Sequence, residues 1–87
     1  MKPIKLFYLK GCPYCRKAME CMKEITERCP ELRAVEVEPI EEREHADIAD
    51  RYDYHYVPAF YIGGRKVHEG AAGSDDVEKV LRMALEE

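Results

Sequence analysis

Cys12-Pro13-Tyr14-Cys15 places two thiols with two residues between them. Thiols at that spacing can close a disulfide without rearranging the backbone, so one can attack a substrate disulfide and the other can resolve the mixed disulfide. The apolar run before Cys12 reads as a strand and the pattern after Pro13 as a helix, which puts Cys12 at a helix start. Unsatisfied amides and the helix dipole favour a thiolate there, making Cys12 the expected nucleophile. Cys15 falls in register with Ala18, Met19 and Met22, faces the core and is the expected resolving thiol. Lys10 precedes the pair, and Arg16 and Lys17 follow it, bringing positive charge to an otherwise acidic chain. Pro13 suits the first helical turn, and Tyr14 projects outward to shape the groove.

A Cys-x-x-Cys pair can also be half of a zinc site. Cys21 and Cys29 are the other cysteines, and eight residues of helix would separate them by about 12 Å, too far for one tetrahedral centre. His45, His55 and His68 are scattered, so no metal ligands are assigned. Cys21, one position off the apolar stripe, is expected to be partly exposed; Cys21 and Cys29 are both read as small apolar residues without a chemical role.

The positioning elements follow from periodicity. Ile4 to Leu9 is a buried strand ending at Lys10-Gly11, and Pro13 to about Pro30 is an amphipathic helix. Arg33 to Glu38 alternates apolar and polar and stops at Pro39, as a second strand would. Glu41 to about Tyr52 reads as a more exposed helix, with Glu41-Glu42-Arg43-Glu44 on its solvated face. Pro58 opens a third strand, Ala59 to Ile62; Gly63-Gly64 signals a hairpin, and Arg65 to Glu69 returns. Ser74 is the expected cap of a last helix, with Asp75 and Asp76 in its first turn and Val77, Val80, Leu81, Ala84 and Leu85 at core spacing. Tyr52, Tyr54 and Tyr56 read either as an aromatic wall beside the substrate groove or as packing. The order is βαβαββα, an α/β chain with a mixed four-stranded sheet flanked by three helices.

The 87 residues make one domain, 1–87, and 46% apolar with 37% charged residues exclude disordered and collagen-like classes. A net charge of −4 is opposite in sign to a nucleic-acid footprint. No apolar run reaches the length of a signal peptide or membrane span, so a cytoplasmic monomer is expected, with thiols kept reduced.

Cys12-Pro13-Tyr14-Cys15 resembles the active site of dithiol glutaredoxins, and Val57-Pro58 resembles the proline loop of the thioredoxin superfamily; the element order is similar over nearly the whole chain. The resemblance implies a thioredoxin fold and thiol-disulfide oxidoreductase activity. It also implies a cis peptide before Pro58 facing the cysteines, with Val57 offering its backbone to an extended substrate. Substrates would be protein disulfides or mixed disulfides with glutathione, and no cofactor would be bound. With glutathione as reductant, its site would comprise Lys10, Tyr14, Val57, Gly73, Ser74, Asp75 and Asp76. Lys10 stands two residues before Cys12, where glutaredoxins have a lysine three before, and Gly70-Ala71 followed by a helix resembles the thioredoxin C-terminal part. Supply of electrons by a thioredoxin reductase is therefore the alternative. The competing class is a non-enzymatic metal or iron-sulfur carrier.

Overall fold

The computed structural model describes residues 1–87. Its strands are β1 (Ile4–Tyr8), β2 (Val37–Glu41), β3 (Ala59–Ile62) and β4 (Arg65–Glu69), and its α-helices are α1 (Pro13–Arg28), α2 (Ala46–Ala49) and α3 (Ser74–Glu86). The sheet order is β2-β1-β3-β4. β1 runs parallel to β2 and antiparallel to β3, and β4 pairs antiparallel with β3. This is the thioredoxin fold that the resemblance implied.

Alternation along the two central strands divides the interior. Ile4 and Leu6 of β1 and Phe60 and Ile62 of β3 point toward α1 and α3, where they pack with Ala18, Ile25, Val77 and Leu81. Phe7, Ala59 and Tyr61 point the other way, onto Ile40 and Ala49. Gly63 and Gly64 both have positive φ, 56° and 81°, as a tight hairpin between right-twisted strands requires.

Four expectations need correction. The second strand is not Arg33–Glu38: Pro30–Ala34 forms a 3-10 helix that drives Leu32 into the core, and β2 begins at Val37 and runs through Pro39. Proline survives there because β2 is an edge strand that needs donors on one side only. The second helix shrinks to Ala46–Ala49, because Glu41 ends β2 as a buried residue and its carboxylate takes the amides of Arg43 and Glu44, holding them in a turn. Ser74 is the first residue of α3 and not its cap; Gly73 is, and Asp76 accepts the Gly73 amide at 3.1 Å. Cys21 is buried, since the start of α3 lies over it and the Ser74 hydroxyl sits 3.6 Å from its sulfur.

Candidate active site

The sheet topology gathers the site. β1 and β2 end, β3 begins and β4 ends at the same edge of the molecule, as the pairings Tyr8 with Glu41, Phe7 with Ala59 and Ala59 with Glu69 show. Cys12, the Val57-Pro58 bond, Gly70 to Gly73 and the start of α3 therefore lie at one end of the sheet.

Between β1 and α1 the chain turns through Gly11, whose φ of 85° suits a residue without a side chain. The Cys12 amide closes this turn on the Leu9 carbonyl at 3.2 Å. Lys10 donates its backbone N–H to Glu41 at 2.8 Å, tying the loop to the end of β2. Glu41 is only 4% exposed and also accepts the amides of Arg43 and Glu44 at 2.6 and 3.1 Å. Hydrogen bonding from Lys10, opposed by desolvation and aided by the other two amides, holds its carboxyl below the usual range. No sequence signal distinguished Glu41 from its acidic neighbours.

Cys12 is the N-cap of α1, and its sulfur accepts the Cys15 amide at 3.4 Å. Desolvation pushes the Cys12 thiol up, but hydrogen bonds from the Cys15 side chain and from the Cys15 and Tyr14 amides outweigh it, so its pKa falls below the ordinary 9.0. Cys15 is 2% exposed, and burial pushes its thiol up to about 12, with the Leu9 backbone opposing and the Cys12 sulfur reinforcing the rise. The Glu42 carboxylate raises both thiols. The two sulfurs thus differ in both exposure and acidity. The ammonium of Lys10 is paired with Glu44 in solvent.

The contrast gives a labelling order: alkylation should modify Cys12 first, at a rate that rises with pH and levels off below pH 9.0, while Cys15 stays unmodified until the chain unfolds. Peptide mapping against pH checks this, and preferential labelling of Cys15 contradicts it.

The Val57-Pro58 bond is cis, Pro58 is buried, and its carbonyl accepts the Gly70 amide at 2.8 Å. Glu69, at the end of β4, accepts the amides of His55 and of Tyr56, the latter at 2.9 Å, and pairs with Lys66 at 2.7 Å. The Lys66 ammonium and then these two amides bring its pKa down to about 2. Glu69 thereby fixes the segment that leads into Val57, a role that sequence reading missed.

Tyr14 and Tyr56 are 61% and 71% exposed at this end of the molecule. Tyr52 and Tyr54 are packing residues on the opposite sheet face, with ring centroids 4.7 and 5.1 Å from Phe7. Among the residues expected to meet glutathione, Tyr14 and Gly73 come together around a hollow of about 290 Å³ with Lys17, Ala71 and Ala72. Lys10 lines a separate groove, of about 300 Å³, together with Cys12, Cys15 and Arg16. No group of three or more His, Cys, Asp or Glu side chains is placed to hold a metal ion. No helix is long and apolar enough to cross a membrane.

A family model described as "Thioredoxin domain" matches residues 2–82. No curated protein sequence matches the chain. Among solved structures, an uncharacterized thioredoxin-like protein from Clostridium perfringens superposes with a TM-score of 0.71 at 21% identity, over 100% of this chain and 74% of that one. A mutant thioredoxin from Halobacterium salinarum gives 0.69 at 20% identity, over 97% and 74%. A malarial protein gives 0.71 at 12% identity, over 94% of each chain. At these identities the structural likeness speaks for the fold, and the match over residues 2–82 for descent. With Cys12 at a helix start and Cys15 buried one turn later, the chain belongs to the thioredoxin-domain family, whose fold carries thiol redox chemistry.

Proposed function

We propose that the protein is a thiol-disulfide oxidoreductase that reduces disulfides in other proteins or mixed disulfides with glutathione. The observation that carries the reading is the opposed environments of Cys12 and Cys15, one activated at a helix start and one buried and protonated. The Cys12 thiolate attacks one substrate sulfur, forms a mixed disulfide and expels the other substrate sulfur as a thiolate, which takes up a proton. Cys15 then loses its proton and attacks the Cys12 sulfur, releasing the second substrate thiol and leaving a Cys12–Cys15 disulfide. Two electrons have passed to the substrate, and an external dithiol or two molecules of a monothiol must return them. The Val57 backbone, just before the cis bond at the same end of the sheet as Cys12, would serve as the strand-type recognition edge for an extended substrate.

Glutathione and a thioredoxin reductase are the candidate electron donors. Two side chains of the implied glutathione site, Asp76 for the ligand's ammonium and Lys10 for a carboxylate, are engaged within the chain, Asp76 by the Gly73 amide and Lys10 by Glu44. This supports a thioredoxin reductase as the donor, in a reducing compartment such as the cytoplasm. A coupled assay with a peptide disulfide tests both levels. Turnover fed by thioredoxin reductase is expected to exceed turnover fed by glutathione and its reductase. Glutathione-linked turnover that dominates, and that collapses in Asp76→Ala without loss of stability, reverses the choice of donor. Absence of catalysed reduction with either source contradicts the function.

A further inference from the structure

The groove of about 300 Å³ beside Cys12 has no part in the mechanism so far. Its apolar walls come from Tyr8 and Leu9 at the end of β1 and from Met19 on α1, with Cys12 and Cys15 at one end. Neither Val57, Pro58 nor any residue of Gly70 to Gly73 lines it, so it opens on the flank of the cysteines away from the proline loop. Its volume is at the small end of ligand sites, which span about 300 to 1,000 Å³, enough for a side chain or two and too small for a large cofactor.

The charges around it are unevenly matched. Lys10, Arg16, Lys23 and Glu20 line the groove. Lys10 is neutralised by Glu44, whereas Arg16 and Lys23 pair with no carboxylate of the chain. Two unpaired cations against one glutamate give the groove a positive rim on a chain whose net charge is −4. Seven residues of helix separate Arg16 from Lys23, about 10 Å along the axis, with Met19 between them. In an extended peptide the residues on either side of one apolar side chain lie two rises, about 7 Å, apart, and the length of two glutamate side chains covers the remainder.

We infer that this groove receives an acidic segment flanking the substrate cysteine, with an apolar side chain against Leu9 and Met19 and carboxylates on both sides of it at Arg16 and Lys23. The inference deepens the disulfide exchange proposed above and rests on it for the identity of the occupant as substrate. Substrate selection then combines an anchor and a charge test. The apolar contact holds the segment beside the Cys12 sulfur, and the rim accepts acidic flanks while opposing basic ones. The overall negative charge of the chain keeps acidic proteins from binding elsewhere on its surface.

Two disulfide peptides that differ only in carrying Glu or Lys on either side of one Leu test the assignment. At low salt the acidic peptide should be reduced with a kcat/KM about 3- to 30-fold higher, the range expected of two exposed ion pairs, and the preference should shrink at high salt. In Lys23→Glu the ratio should fall toward one. A second measurement does not depend on turnover. Analogues with Ser in place of Cys are titrated while the methyl resonance of Met19 is followed, and a saturable shift is expected with the acidic peptide but not with the basic one. Equal reduction of the two peptides with an unmoved Met19 resonance overturns the groove assignment and leaves the exchange reaction standing. A Met19 shift without reduction of either peptide sustains the groove and removes the proposed activity.

Discussion

Replacing Cys12 with Ser should reduce disulfide exchange to the uncatalysed background, because no other thiol of the chain stands partly exposed at a helix start with a second cysteine one turn away. Cys15 is 2% exposed with a pKa pushed up to about 12, and Cys21 is buried beneath the start of α3. Cys29 is half-buried at the far end of α1, beside the Arg82 guanidinium, sixteen residues of helix away from the site. Cys15→Ser should behave differently. The Cys12 sulfur keeps the Cys15 backbone amide, and the serine hydroxyl can donate in place of the thiol, so it should still attack, and the mixed disulfide should then accumulate for want of a resolving thiol. Mass spectrometry of each variant after exposure to a disulfide peptide checks both outcomes. Sustained turnover in Cys12→Ser, or an unmodified Cys12 in Cys15→Ser, contradicts the division of labour.

The largest effect on stability should come from Phe60→Ala. Phe60 is fully buried on the sheet face that meets α1 and α3, opposite Leu6 in the β1–β3 pairing, and its ring lies 5.9 Å from that of His68. Truncating a buried phenylalanine removes its transfer energy and leaves a cavity, a loss of about 3 to 5 kcal/mol. Domains of this kind hold about 5 to 15 kcal/mol in all, and a chain of 87 residues belongs toward the lower end. Much of the population should therefore unfold at physiological temperature. Urea titration followed by circular dichroism checks this; a loss below about 1 kcal/mol contradicts the assignment of Phe60 to the principal core.

The Cys12–Cys15 pair at a helix start was legible because its signal is local. Cys12 and Cys15 sit at a strand-to-helix junction, and the strand, the helix and the Gly63-Gly64 hairpin each announce themselves within a few residues. What the sequence concealed depends on contacts between distant segments. Glu41 looks like one of several solvated acids, and only the meeting of the β2 end with the Lys10 loop buries it and gives it three backbone donors. Glu69 reads as the last residue of a hairpin strand, yet it anchors the approach to Val57. The same cause misled the reading of Cys21, whose exposure depends on where α3 docks. Arg33 to Glu38 alternates as a strand should, but Pro30 opens a 3-10 helix and Leu32 is drawn under α1 and α3, which delays the strand to Val37. Pro39 marks a strand end only if the strand is internal, and sequence alone did not place β2 at the edge of the sheet.

One redox couple, Cys12 with Cys15, should perform the chemistry while Cys21 and Cys29 stand aside. The measurement that tests this most directly is peptide mapping under non-reducing conditions after fully reduced protein has reacted with one equivalent of a disulfide substrate. The expected result is a Cys12–Cys15 disulfide, free thiols at Cys21 and Cys29, and release of both substrate thiols. A disulfide that includes Cys21 or Cys29, or an unchanged substrate beside four free cysteines, contradicts the account.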